Sequence, residues 1–303
     1  MKLLIRIPLF VMMGLVLLAC GLHVSNSGDA AVPAKPDGRV RVATYNVHYI
    51  LVNRQTGPWS AEDWESRKGP MNEALQLIDA DVIAFQEMES FAGGNADTNN
   101  LARAYLLDQN PRLAAAAVGD WRDFPSTQPI FYRRDMFRVA DQGWFFFSDT
   151  PDVIYSRTFD GSYPAFASWV RLSPHDGSAS LTVFNVHFEH KSGSNRLKSA
   201  ELVAGRIAPL VETGERVVLA GDMNALGFAQ TVKILEAAGL VFLPVDGATY
   251  HFDRGINLFG AIDHIAVSEN LLPAADPTVL RRKFEGIWPS DHYPVFTDVS
   301  LAP

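Results

Sequence analysis

The stretch Arg216-Val217-Val218-Leu219-Ala220-Gly221-Asp222-Met223-Asn224-Ala225 constrains the fold more than any other. Four successive apolar residues without helical spacing read as a strand buried on both faces. Gly221 then reads as a turn that delivers a carboxylate and a carboxamide two residues apart. If the tip stays extended, Asp222 and Asn224 point the same way, because side chains alternate along a strand. The same residues also suit an Asp-turn followed by an Asn cap on a helix starting near Phe228.

The rest of the chain repeats this theme. Arg39 to Val47 alternates and is β-branched, which predicts a first strand carrying Asn46 at its end. Trp64, Met71, Ala74, Leu75 and Ile78 keep helical spacing and stop at Asp79-Ala80. Asp81 to Gln86 predicts a second buried strand, tipped by Glu87, and this strand-helix-strand order indicates α/β layering. Gly93, Gly94 and Asn95 predict a loop, Leu101 to Leu107 a helix, and Pro125 to Pro129 another loop. Pro129 to Tyr132, Phe137 to Val139 and Trp144 to Phe147 read as strands whose aromatic cluster serves as core or pocket wall. Trp169 to Leu172 and Leu181 to Phe188 form a hairpin, with Asn185 and His187 on one face. A helix over Leu197 to Val211 closes at Gly214, and another lies around Val232 and Leu235. Ala261 to Val267 places Asp263 and His264 in an apolar strand, where a buried carboxylate needs a partner such as an imidazole. Asp291 and His292 precede a closing strand.

The first residues are of another kind. Lys2 and Arg6 precede the apolar run Leu9 to Ala19, too short for a permanent span and suited to an export signal. Cys20, the single cysteine, stands where a bacterial lipobox carries its lipidated residue; Leu18 is less usual there than a small residue. One cysteine allows no internal disulfide, so an exported product is held by its core. Ser, Asn, Gly, Pro and Asp between His23 and Gly38 read as a flexible tether. The expected division is therefore a lipoprotein-type signal at 1–20, a tether at 21–38 and one domain at 39–303. Localisation follows as exported, anchored at the cell envelope through Cys20 or secreted. Losing Lys2 and Arg6 takes the formal charge from −8 to −10, so no global electrostatic pull towards nucleic acid or anionic lipid exists.

Six strand ends carry Asn46, Glu87, Asn185 with His187, Asp222 with Asn224, Asp263, and Asp291 with His292. Such hard oxygen donors suit magnesium or manganese rather than zinc. An Asp beside a His suits an imidazole that moves protons or contacts phosphate. Metal-assisted hydrolysis of a phosphate ester uses both.

The segments Thr44-Tyr45-Asn46, Phe85-Gln86-Glu87, Asn185-Val186-His187, Gly221-Asp222-Met223-Asn224, Ile262-Asp263-His264-Ile265 and Ser290-Asp291-His292-Tyr293-Pro294 occur in this order. Through them the chain, from about Arg39 to Leu301, resembles the endonuclease/exonuclease/phosphatase superfamily. That group surrounds pancreatic-type deoxyribonuclease, abasic-site endonucleases, neutral sphingomyelinases, inositol-polyphosphate 5-phosphatases and deadenylases. The resemblance implies a four-layer α/β sandwich, two mostly antiparallel sheets face to face with helices outside. It implies Glu87 as main metal ligand, with Asn46 and Asp291 beside it, for Mg2+ or Mn2+. Asp222 would position or deprotonate water, and Asn224 would hold a phosphate oxygen. His292, oriented by Asp263, would contact the phosphate, and His187 would assist near the leaving group. His190 and His264 match no essential position. Bacterial deadenylase-like relatives often carry Arg where Ala165 stands here, leaving Arg157 or Arg196 to compensate. The expected activity is an extracytoplasmic, Mg2+-dependent phosphodiesterase, a monomer acting on nucleic acid or a nucleotide. A lipid phosphodiesterase of sphingomyelinase type, a phosphomonoesterase, and a non-catalytic lipid-anchored binding protein are the alternatives.

Overall fold

The structure, a computed structural model, describes residues 2–28, 31–91, 100–273 and 275–301. The loop expected at Gly93 to Asn95 lies outside the described residues. In chain order the first half comprises α1 (Lys2–Ser25), β1 (Arg39–Asn46), β2 (Ile50–Leu51), α2 (Ala61–Ile78), β3 (Val82–Gln86), β4 (Ser90–Phe91), α3 (Leu101–Gln109), β5 (Leu113–Ala116), β6 (Ile130–Arg133) and β7 (Phe137–Phe146). The second half comprises β8 (Phe166–Pro174), β9 (Leu181–His187), α4 (Gly193–Glu212), β10 (Arg216–Asp222), α5 (Gln230–Glu236), β11 (Leu240–Phe242), β12 (Asp263–Ser268), β13 (Leu272–Pro273), β14 (Thr278–Val279) and β15 (Val295–Ser300).

Two mixed sheets face each other. One runs β13-β15-β1-β3-β6-β5, with β14 also on β15, and the other β11-β12-β10-β9-β8-β7. Each has one parallel pair at its centre, β1 with β3 and β9 with β10, flanked by antiparallel neighbours. The parallel pairs are bridged by α2 and α4, because a parallel return needs a crossover. Val42, Val82 and Ala84 of the first sheet meet Val183, Val218, Ala220, Ile265 and Val267 of the second in the central core. Met71, Ala74, Leu75 and Ile78 of α2 pack with Ile83, Phe85 and Phe131 outside the first sheet. Ala200, Val203 and Ile207 of α4 pack with Phe184, Val186, Val217 and Leu219 outside the second. Helix, sheet, sheet, helix: the four-layer α/β sandwich is present.

Chain direction puts the polar strand ends together. β1, β3, β9 and β10 finish at one edge, and the antiparallel β12 and β15 start there. Asp222 is in register with His187 on one side and Asp263 on the other. At the opposite end Arg41, buried, forms a two-pronged pair with Asp298 (2.8 and 2.9 Å) and donates to the carbonyls of Ile78 and Pro33. This joins β1, β15 and the end of α2 with every guanidinium nitrogen satisfied.

Two local expectations need correction, and a third position is placed. Gly221 is not a turn: it stays in β10 opposite Val186, and a Cβ there would stand 1.9 Å from the Val186 carbonyl oxygen. The glycine is required by close backbone approach. Phe137–Val139 and Trp144–Phe147 are not separate strands. β7 is continuous to Phe146, with a register shift between Val139 and Asp141 that turns its face. Ala165 is buried in the core between the second sheet and its helices. It therefore fills a packing position there.

The N-terminal segment is also fastened. α1 extends through the expected signal and the first residues of the tether, and Lys35 pairs with the buried Asp81 at 2.7 Å. Among the described residues no helix is long and apolar enough to cross a membrane.

In the loop between β11 and β12, His251 is buried and stacks on Tyr293, with ring centroids 4.1 Å apart and 25° between planes. Its Nδ1 accepts the Gly255 N–H, and its Nε2 is buried without a partner. Burial, reinforced by the His292 charge, pushes its pKa down to about 3. The folded value lies below the unfolded value near 6.5, so the unfolded chain takes up the proton first. The stability from a neutral His251 is complete above about pH 6.5 and is lost as pH falls towards 3. The slope is ~1.4 kcal/mol per pH unit. Urea midpoints of the parent should fall from pH 6.5 to 5 more steeply than those of His251→Phe. Equal slopes would show that His251 does not carry this acid sensitivity.

Candidate active site

Asn46 closes β1 with no exposed surface. Its Nδ2 donates to Glu87 Oε1 (3.1 Å) and to Asp222 Oδ2 (3.2 Å), and its Oδ1 accepts the His48 N–H (3.2 Å). Expected beside Glu87 as a ligand, the amide stands here as a donor between the two carboxylates, one from each sheet. Glu87 follows β3 in the left-handed region (φ 55°), which turns its side chain off the strand's alternation. Its Oε2 faces Tyr49 N–H at 3.4 Å.

Asp222 is 2% exposed and lies 3.6 Å from His187 Nε2 and 3.8 Å from His292 Nε2. Its Oδ1 accepts the Asn224 N–H at 2.9 Å. Asn224 is itself left-handed (φ 46°), so the tip is not extended: the Asp-turn forms. The helix cap does not, since Asn224 Nδ2 donates to Phe188 O at 2.9 Å and α5 begins only at Gln230. Burial first, then the Asp263 charge, push Asp222 up to about 6, against the pull of His292, His187 and the Asn224 N–H.

Asp263 Oδ2 accepts from His292 Nδ1 at 2.9 Å, which leaves Nε2 turned towards Asp222. Burial alone would push the imidazole pKa down. The Asp263 carboxylate and its hydrogen bond, with Asp222 and Asp291, hold it well above the usual histidine range. The Asp263 backbone N–H is held by Thr249 Oγ1, and Asp263 Oδ1 is buried without a partner. The Ser290 hydroxyl donates to Asn46 O at 2.7 Å and accepts the His292 N–H at 3.3 Å, tying the last motif to the first strand.

Asp291 lies 3.7 Å from His48 Nδ1, and His48 Nδ1 lies 3.9 Å from Asp253. Among the described residues two groups bring metal-ligating atoms together, His48 with Asp253 and Asp291, and Asp222 with Asp263 and His292. Glu87 and Asp291 keep about a fifth of their side chains exposed (21% and 19%), whereas Asp222 and Asp263 are nearly inaccessible. Glu87 belongs to neither group, but it and Asp291 are accessible hard carboxylates at this edge, donors of the kind a divalent cation takes.

Every expected site residue of the fold thus lies at one edge, while Cys20 is exposed on α1. Asn185 is different. It is fully buried, accepts from Gln86 Nε2 at 2.7 Å and donates to Phe85 O at 2.7 Å, joining the sheets beneath the site. His264 Nε2 donates to Ala225 O (2.9 Å) inside the core, and His190 is half-exposed beside Glu189. Arg196 donates to the Glu189 and His190 carbonyls.

Several contributors were not evident beforehand. The Tyr250 ring lies 4.9 Å from that of His292, and the Tyr163 ring 5.9 Å from that of His187. Thr249 and Ser290 orient backbone around the acid–imidazole pair. Only the Ser-Asp-His-Tyr-Pro run gave a signal for Ser290; Tyr250 and Thr249 sit in a loop without periodicity.

The chain matches the Endonuclease/Exonuclease/phosphatase family over residues 43–292. No curated protein matches the chain. A mannosyl-6-phosphatase from Bacteroides thetaiotaomicron is similar in structure, with 26% identity, a TM-score of 0.72, and coverage of 86% of this chain and 99% of that one. An endonuclease/exonuclease/phosphatase family protein from the same organism has 26% identity and a TM-score of 0.71, covering 86% and 97%. The human Nocturnin catalytic domain shares the fold at 15% identity and a TM-score of 0.61, covering 88% and 96%.

Proposed function

Because this chain belongs to the endonuclease/exonuclease/phosphatase family of phosphoester hydrolases, we propose that it is a Mg2+- or Mn2+-dependent phosphodiesterase acting outside the cytoplasm. Nucleic acid or a nucleotide is the favoured substrate class. The observation that carries this reading is the buried row Asp222, His292 and Asp263, with accessible Asp291 next to His292 and accessible Glu87 joined to Asp222 through Asn46.

Glu87 and Asp291 would hold the ion, which supplies positive charge to phosphoryl oxygens. Asp222, ionised above about pH 6, orients the attacking water and can take its proton. His292, kept protonated by Asp263, donates from Nε2 to a phosphoryl oxygen. Asn46 fixes Glu87 and Asp222 relative to each other. Asn224 contacts the phosphate, and His187, 3.6 Å from Asp222, serves the leaving-group side.

Charge favours a diester. Among the described residues no Lys or Arg pairs with Glu87, Asp222, Asp263 or Asp291, and Arg67 is spent on Asp63 and the Val47 and His48 carbonyls. A singly charged diester asks less of such an acidic site than a doubly charged monoester. Similarity to the mannosyl-6-phosphatase supports a second reading, a sugar phosphomonoester. Export and a lipid at Cys20 belong to the same proposal, motivated by the apolar run before Cys20.

The test is turnover of bis-p-nitrophenyl phosphate, plasmid DNA, RNA, sphingomyelin and mannose 6-phosphate with Mg2+, Mn2+ or chelator. Cleavage of the diesters, abolished by chelator, is expected. Turnover of mannose 6-phosphate alone would transfer the assignment to the monoester reading. No metal-dependent turnover by a folded chain would favour a non-catalytic binding protein.

A further inference from the structure

The route of the N-terminal segment over the sandwich decides which way the site faces. β1 begins at the end remote from the site, where Arg41 holds the Pro33 carbonyl. Arg41 precedes Asn46 by five residues of strand, about 17 Å. An apolar anchor leaving directly from there would point the site away from whatever holds the anchor. The chain does otherwise. Pro33 lies at the far end, but Asn26 lies at the site end, and His23 upstream of it is clamped there too.

The clamp consists of four bonds. His23 Nδ1 accepts the Asn257 N–H (3.1 Å), Asn26 Nδ2 donates to Asn257 O (3.4 Å), and Asn257 Nδ2 donates to Ser27 Oγ (3.0 Å). The Ala248 N–H donates to Asn26 O at 3.0 Å. Ala248 adjoins Thr249, whose hydroxyl holds the Asp263 backbone. Within the expected tether, His23, Asn26 and Ser27 are thus fastened to the domain. Cys20 stands three residues from His23 on the same helix, a rise of about 4.5 Å.

The loop that receives the clamp carries exposed apolar side chains. Phe252 (37%), Ile256 (38%) and Phe259 (54%) are open to solvent, and Ile256 adjoins Asn257. Their rings continue from the site: Tyr250 stands 4.9 Å from His292, Phe252 4.5 Å from Tyr250, and Phe259 6.0 Å from Phe252. The neighbouring loop joins through Leu226, which a Cβ at Gly260 would meet at 3.4 Å, and carries Phe228, 77% exposed. On α1 itself Leu15, Leu17 and Leu18 are all about three-fifths exposed. The residue that fastens the N-terminal segment, Asn257, thus adjoins the exposed Ile256 of this rim.

We propose that this end of the sandwich rests on a lipid surface, with Phe252, Ile256, Phe259 and Phe228 in the interface and the mouth of the site facing the headgroups. Exposed aromatic and aliphatic side chains beside an apolar helix are partnered by lipid. The formal charge is −8 and Asp253 and Arg254 cancel within the loop, so anionic lipid has no advantage and the surface is one of neutral, zwitterionic headgroups. The apolar helix and a lipid on Cys20 serve alike, since both leave from the same clamp. The inference stands on geometry and does not depend on the phosphodiester reading.

The experiment uses the full chain reconstituted with phosphatidylcholine vesicles that contain brominated acyl chains. Phe252→Trp is compared with Leu77→Trp, a position equally exposed (37%) at the far end beside Ile78. Circular dichroism verifies folding of each variant. Fluorescence added at position 252 should be quenched at least twofold, and that added at 77 should not. The triple variant His23→Ala, Asn26→Ala, Asn257→Ala, which removes the three side-chain bonds of the clamp, should reduce quenching at 252 while the chain stays on the vesicles. Equal quenching at both positions overturns the proposal, as does an unquenched 252 on vesicle-bound chain. So does failure of the full chain to bind vesicles. Protection of 252 by a soluble nucleotide but not by vesicles would make the rim a base-stacking platform instead.

Discussion

Asp222→Asn is expected to lower kcat by about 10^3-fold or more while the protein remains folded. The side chain keeps its size, and its oxygen can still accept the Asn224 N–H. What disappears is a charge that, alone among the described residues, faces His187 Nε2, His292 Nε2 and the Asn46 amide at once. An amide cannot take a proton from water, and it presents an N–H to one of the donors that Asp222 now accepts from. The strain this introduces, on the order of 1 kcal/mol, is offset by removing a buried charge whose neighbour is Asp263. Turnover of bis-p-nitrophenyl phosphate and a thermal melt, taken on the same preparation, check both halves. Activity within tenfold of the parent would remove Asp222 from the chemistry, and a collapsed melt would make the loss uninterpretable.

The second large effect concerns folding. Gly221→Ala is expected to cost more than 4 kcal/mol or to prevent folding outright. The added methyl would meet the Val186 oxygen at 1.9 Å and its carbonyl carbon at 2.8 Å, which are backbone atoms of the neighbouring parallel strand. No rotamer change relieves that contact. β9 would have to leave β10, separating His187 from Asp222 and disturbing the core beneath. Gly205→Ala is the matched control: it lies exposed in α4, with nothing within 4 Å of an added Cβ. It should stabilise by ~1 kcal/mol, the helix propensity difference. Urea unfolding of the two variants separates the cases; similar midpoints would refute the close-approach argument.

The contrast between Gly221 and its neighbours shows what was legible in the sequence. Runs such as Val217 to Ala220 declare a buried strand because burial on both faces excludes polar residues. The acids and amides at their ends stand out because a half-buried strand would otherwise be apolar there. The order of six such ends sufficed to place Glu87, Asp222, Asp263, Asp291 and His292 at one edge. Gly221 was misread because a glycine needed for close approach looks like a glycine needed for a turn. Asn185 was grouped with the site because spacing alone cannot tell an amide that faces substrate from one that joins two sheets. Tyr250, Thr249 and the rim at Phe252 were missed because irregular loops have no period, and their position depends on where β12 and β15 bring them. The continuity of β7 was hidden by its bulge, which interrupts the alternation on which strand reading depends.

The division of the site between the sheets has a further consequence. Asn46, Glu87 and Asp291 ride on one sheet, and His187, Asp222 and Asp263 on the other, with Asn46 reaching across to both carboxylates. The width of the gap is set by the side chains stacked between the layers, Val42, Ala84, Val183 and Ala220 among them, and by the Gln86–Asn185 bond at 2.7 Å. The hydrophobic interior is thus a gauge block for the catalytic gap. Residues that never meet substrate fix its calibration, and drift in their volume would register as altered chemistry before it registered as lost stability.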